Sequence, residues 1–188
     1  LPDLRVWRLL ERRGGDGRPR LLAACEGGIA ELEDDGRWRA IDLGFPLAGV
    51  SVNSLLRTGE GSAAALWVGT FGAGVFRLRE GRVERYGPSR GLAGRLVTSL
   101  AATRGPDGEP VVWAGTRDAG VFRLAGEGFE PLRAGPALDE VYTLAPGSGV
   151  NSGTLWVGTR LAGLSRVQDA PWAAFDRATG LPGEQVFA

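Results

Sequence analysis

The side chains that could do chemistry here are few in kind. Basic and acidic residues number 22 each, every basic residue is arginine, and the chain has no histidine, lysine or methionine. Without histidine, His-based triads, His metal sites and imidazole general-base catalysis are excluded within this chain. Without lysine, Schiff-base chemistry and a P-loop lysine are excluded as well. What remains is arginine, whose planar guanidinium grips carboxylate or sugar groups through paired hydrogen bonds, together with carboxylates, amides and aromatic rings. Candidate ligand contacts of these kinds are Arg90, Arg95, Arg117 and Arg160, with Asp118, Glu140, Gln185 and Phe71 beside them. Three of them share a spacing, because Phe71, Arg117 and Arg160 each follow a Gly-Thr pair. No metal, no cofactor and no catalytic residue is expected. The run Asp34-Asp35-Gly36-Arg37-Trp38 lacks the alternating ligands of a calcium loop and reads as a hairpin turn.

The bulk properties narrow the classes further. Charges balance, which argues against a nucleic-acid binder with its basic face. The absence of lysine reads as a coding bias towards arginine. The single Cys25 cannot close an internal disulfide, leaves the redox compartment open and is expected to be a small buried filler. No apolar run approaches the ~18 residues of a membrane span. The chain opens on Leu1 with no signal peptide in view and is expected to be a processed or excised segment. Glycine accounts for 31 of 188 residues, roughly 16% against a usual share of about 7%, which points to short elements joined by tight turns.

The elements that position the candidates are repeats. Leu66-Trp67-Val68-Gly69-Thr70, Val112-Trp113-Ala114-Gly115-Thr116 and Leu155-Trp156-Val157-Gly158-Thr159 align, with tryptophans 46 and 43 residues apart. Each runs on through a glycine-containing turn into Gly74-Val75-Phe76-Arg77-Leu78, Gly120-Val121-Phe122-Arg123-Leu124 or Gly163-Leu164-Ser165-Arg166-Val167. A degraded copy spans Leu21 to Leu32, with Leu21 and Ala23 read at the Trp and Gly positions. Each period holds four short strands, here A to D in chain order, bounded by turn residues. Four strands in 40 to 50 residues mark a β-propeller blade, a twisted sheet that must stack on its neighbours.

The expected fold is therefore all-β: a partial or open β-propeller of four-stranded antiparallel blades. The blades fall at about 4–42, 51–86, 96–133 and 140–176, and residues 185–188 begin a further one. Trp67, Trp113 and Trp156 are expected to pack between blades, with Gly69, Gly115 and Gly158 allowing close backbone approach. Thr70, Thr116 and Thr159 are expected to bond the turn that follows. Trp7 reads as core or channel-lining, and Trp38 and Trp172 as outer-strand residues. An open arc exposes blade edges, so further blades or a second copy are expected to complete the ring.

Leu-Trp-Val-Gly-Thr, then Gly-Val-Phe-Arg-Leu, then Gly180-Leu181-Pro182-Gly183-Glu184-Gln185-Val186 resembles the two-component regulator propeller repeat. Gly91-Leu92 matches the later part of that repeat, and the resemblance covers about residues 20–188. It implies the extracytoplasmic sensor region of a bacterial hybrid histidine kinase or related signalling protein, hence a periplasmic or extracellular location. Such propellers are commonly seven-bladed and followed by an immunoglobulin-like module, a membrane span and the output domain. The chain departs from the pattern at Leu21 and Ala23, and at Ala134-Gly135-Pro136-Ala137-Leu138, where the Gly-Leu-Pro loop is missing.

On a propeller, the B–C loops and the D–A connections share one face, and the eight candidate residues lie on them. The leading expectation is a non-catalytic segment that senses a small molecule, a glycan or a protein partner. A protein-interaction scaffold is the alternative. A propeller glycan hydrolase or lyase working through two carboxylates is the third.

Overall fold

The computed structural model of the chain describes residues 5–13, 17–47, 49–133, 140–149, 152–167, 173–182 and 185–186. Leu4, Trp172 and residues 134–138, 183–184 and 187–188, which the sequence reading uses, lie outside them. Among the described residues sixteen strands form four separate four-stranded antiparallel sheets, each built from consecutive strands. Blade one contains β1 (Val6–Arg13), β2 (Pro19–Cys25), β3 (Gly28–Leu32) and β4 (Trp38–Ile41). Blade two contains β5 (Ser51–Thr58), β6 (Ala65–Phe71), β7 (Val75–Arg79) and β8 (Arg82–Tyr86). Blade three contains β9 (Val97–Arg104), β10 (Pro110–Thr116), β11 (Gly120–Ala125) and β12 (Gly128–Pro131). Blade four contains β13 (Val141–Pro146), β14 (Leu155–Thr159), β15 (Leu164–Val167) and β16 (Ala173–Phe175). The first strands of successive blades touch one another, β1 with β5, β5 with β9 and β9 with β13, which makes strand A the inner strand.

The hydrophobic material lies in the seams. Leu22, Ile29, Val52, Val68 and Phe76 cluster between blades one and two. Trp67, Tyr86, Leu92, Val97, Phe122 and Phe129 cluster between blades two and three. Trp113, Val141, Leu144 and Val157 cluster between blades three and four. Strand alternation explains the arrangement, since successive side chains of β6 point to opposite faces, Trp67 to the following blade and Val68 to the preceding one.

Glycine at the end of strand B is a steric requirement of the seam. A Cβ on Gly69 would stand 2.7 Å from Val97 Cγ1, and one on Gly115 would stand 2.7 Å from Val141 Cγ1. A Cβ on Gly158 would likewise stand 2.9 Å from Val186 Cγ1, and the Val186 N–H donates to the Thr159 carbonyl at 3.1 Å. Val186 thus occupies against blade four the place that Val97 and Val141 occupy against blades two and three. Hydroxyls add a second tie across two seams: Ser54 accepts from the Leu100 N–H at 2.8 Å, and Ser99 from the Leu144 N–H at 3.1 Å.

The register corrects the reading of the degraded copy. Leu22 pairs with Glu31 as Trp67 pairs with Arg77, and Ala24 pairs with Ile29 as Gly69 pairs with Val75. The tryptophan position is therefore held by Leu22, not Leu21, and the glycine position by Ala24, not Ala23. A one-residue slip exchanges faces, and Leu22 lies in the seam core while Leu21 is only half-buried. Trp7 is 50% exposed and Leu9 55% exposed, both on the inner strand of blade one.

Candidate functional site

Each B–C loop is pinned by the threonine that ends strand B. Thr70 Oγ1 donates to the Gly74 carbonyl at 2.7 Å and accepts from the Ala73 N–H at 3.2 Å. Thr116 does the same to Gly120 at 2.8 Å and Ala119 at 3.1 Å. Thr159 repeats it with Gly163 and Ala162, both at 3.0 Å. The loops are thereby held rigid at the mouth of the blades, which suits side chains meant to keep a fixed geometry. Behind them, Trp67 and Trp113 each donate the indole N–H to a strand A threonine, Thr58 and Thr103, both at 2.9 Å. Trp156 is half-buried and faces a 230 Å³ groove with Phe175 and Leu181.

The candidate residues fall into three groups. Phe71, Arg95, Arg117 and Asp118 meet around Leu96. Phe71 bridges to Leu96, and the Arg117 N–H donates to the Leu96 carbonyl at 2.9 Å. The Asp118 carboxylate accepts from the Arg95 N–H at 2.9 Å and from the Leu96 N–H at 3.1 Å. Asp118 therefore clamps the chain entering blade three. Glu140 and Arg160 form the second group, an ion pair at 3.0 Å, and the Arg160 N–H donates to the Glu140 carbonyl at 3.1 Å. The hydrogen bond to Glu140 pushes the Arg160 guanidinium up from its ordinary value, so it stays charged. Gln185 is exposed beside Val186 on the same side of blade four. Arg90 stands apart: its guanidinium lies 5.1 Å over the Tyr86 ring, and its carbonyl backs onto Gly128 at the start of β12.

Among the described residues no cluster of three or more His, Cys, Asp or Glu side chains could hold a metal ion. No helix among them is long and apolar enough to cross a membrane.

Two clefts escaped the sequence reading. One, of 380 Å³, lies along β4 and the following connection, lined by Trp38, Asp42 and Phe45 among others. The other, of 590 Å³, lies on the opposite face from the B–C loops, between the A–B hairpins of blades one and two, where Arg12, Arg13 and Arg57 converge. Alignment of the blades was the signal for the second, since Arg57 stands where blades three and four have Ala102 and Pro146.

Neither a protein-family model nor a curated protein matches the sequence. Solved structures do match. The extracellular domain of BT3049 from B. thetaiotaomicron, named for a hybrid two component system, superposes with a TM-score of 0.67 at 18% identity over 92% of this chain. That of BT4673 from the same organism, named likewise, gives 0.63 at 17% identity over 88% of this chain. The chain has the propeller fold of these ectodomains. It spans 25% of the first and 22% of the second. A catalytically inactive histidine-to-alanine variant of virginiamycin B lyase from Staphylococcus aureus, with Quinupristin, also shares the fold, at a TM-score of 0.57 and 18% identity over 93% of this chain and 57% of that one.

Proposed function

We propose that the chain is a non-catalytic recognition segment from the extracytoplasmic sensor region of a two-component signalling protein, within the two-component regulator propeller family. The observation that carries this is the superposition on two such extracellular domains along nearly the whole chain. The Leu-Trp-Val-Gly-Thr repeats support it independently. The ligand is a small molecule or glycan met by the loop face, where Phe71, Arg95, Arg117 and Gln185 have side chains left to reach outward once Asp118 and Arg160 have taken structural partners. The fold shared with the lyase does not favour an enzyme: the lyase variant that lost activity lost a histidine, and this chain has none.

Blade four is not the last of its array. A further blade begins at Gln185, and its Val186 fills the Gly158 notch while later strands cover Trp156, Phe175 and Leu181. A thermal-shift screen of sugars and small metabolites on the whole ectodomain tests the sensing role. A saturable rise in melting temperature is expected. No shift with any ligand, together with stable capture of a partner protein, would replace sensing with scaffolding.

A further inference from the structure

The cleft between the A–B hairpins of blades one and two holds arginines that the repeat does not require. Leu56 packs on the seam with blade three, so by alternation Leu55 and Arg57 face the seam with blade one. Leu10 packs on that same seam from the other side, and Arg12 lies two residues further on the same face. Arg12 and Arg57 therefore approach from opposite walls, at the end of the seam where the hydrophobic packing stops.

Neither position carries the residue that the later blades place there. Arg12 pairs with Arg20, as Thr58 pairs with Ala65 and Thr103 with Val111. In blades two and three that position carries the hydroxyl that accepts from the tryptophan indole. Blade one has Leu22 in place of the tryptophan, and no acceptor is needed. At the position of Arg57, Ala102 and Pro146 satisfy the fold in blades three and four. Arg12 is held by Glu31 at 2.8 Å, and Arg13 is steered by a bond to the Gly17 carbonyl at 3.2 Å. The Arg57 guanidinium has no hydrogen bond or ion pair among the described residues. Among the described residues Glu60 is the one acidic side chain lining the cleft, and because Glu31 already pairs with Arg12, the charge facing it comes from Arg13 and Arg57.

We infer that this cleft binds a small oxyanion, with carboxylate, sulfate or phosphate oxygens, gripped by Arg57 and Arg13 beside the Arg12–Glu31 pair. Guanidinium forks match the paired oxygens of such groups, and hydrogen bonds between charged partners are the strong ones. The site lies on the face away from the B–C loops, so it adds to the recognition role and does not depend on it.

Calorimetric titration of the chain with sodium sulfate, sodium phosphate and sodium citrate, each at low ionic strength, tests the site and separates the three chemistries. At least one anion should bind saturably, and Arg57→Ala should weaken it about tenfold or more, the loss of one charge-assisted contact. Arg123→Ala, which removes the same charge from the far side of blade three, should leave binding unchanged. Arg57→Gln keeps most of the stem and covers the case in which the alanine variant folds poorly. Absence of binding by all three anions, unchanged binding in both Arg57 variants, or an equal loss in Arg123→Ala would overturn the inference. None of these results bears on a ligand of the loop face.

Discussion

The Cys25 sulfur lies 3.5 Å from the Gly28 carbonyl oxygen, at the post that Thr70, Thr116 and Thr159 hold in the later blades. The thiol stands in for the hydroxyl, in a loop one residue shorter, as a weaker donor. The latch is a position in the blade before it is a residue type. Thr116→Ala should cost about 1–3 kcal/mol, because it removes both hydrogen bonds of the hydroxyl, to the Gly120 carbonyl and from the Ala119 N–H. Cys25→Ala should cost less than Thr116→Ala. Urea unfolding of the two variants, compared with the parent chain, measures the difference.

The contact between Gly115 and Val141 sets the distance between blades three and four. Gly115→Ala places a methyl 2.7 Å from Val141 Cγ1 and should destabilise by about 1–3 kcal/mol. Val141→Ala should be costly on its own, since the side chain is fully buried. The double variant should be more stable than the sum of the two losses implies. A double-mutant cycle showing simple additivity would remove the claim that this pair governs the seam.

Asp118, a ligand-contact candidate from the sequence, accepts two backbone N–H groups. Asp118→Ala should raise the amide exchange rates of Arg95 and Leu96 well above those of the β9 interior. It should lower stability by about 1–3 kcal/mol, as expected for the loss of a charged acceptor. Hydrogen-exchange mass spectrometry over the peptide containing these residues provides the test.

Glu84 supplies a pH dependence with a defined sign. Burial pushes its carboxyl up, but the hydrogen bond from the Tyr86 hydroxyl at 3.1 Å and the Arg77 charge outweigh this, so it titrates below its ordinary value of 4.5. A carboxyl that is more acidic folded than unfolded contributes stability above the unfolded value. That contribution is lost as pH falls through the folded one. Glu84→Gln should therefore flatten part of the acid-side decline in stability. The effect should not exceed about 1 kcal/mol, because the pair is partly exposed and screened. Melting temperatures of both proteins across pH 3 to 7 would show it, and parallel profiles would refute it.

The blades were legible in the sequence because tryptophan, glycine and threonine are each demanded by a separate constraint and recur together. Trp67 needs a seam, Gly69 needs a bare Cα beside Val97, and Thr70 needs a turn to bond. Where the markers vanish, the register does too. Leu21-Leu22-Ala23-Ala24 offers no residue that fits one face alone, and the alignment slipped by one. The candidate site was less legible, since composition shows which side chains can bind a ligand but not which are already engaged. Asp118 and Arg160 are engaged by neighbours 22 or 23 and 20 residues away in the chain, and no local pattern signals it. Arg90 follows the 3-10 turn Pro88–Arg90 away from the loop face. Arg57 can be noticed only once the blades are laid side by side.

The valine seated in the preceding blade's glycine notch makes each blade's packing depend on the first strand of the next. Stability then sums over nearest-neighbour couplings, and a substitution in one notch should weaken the seam it closes more than seams further along the array.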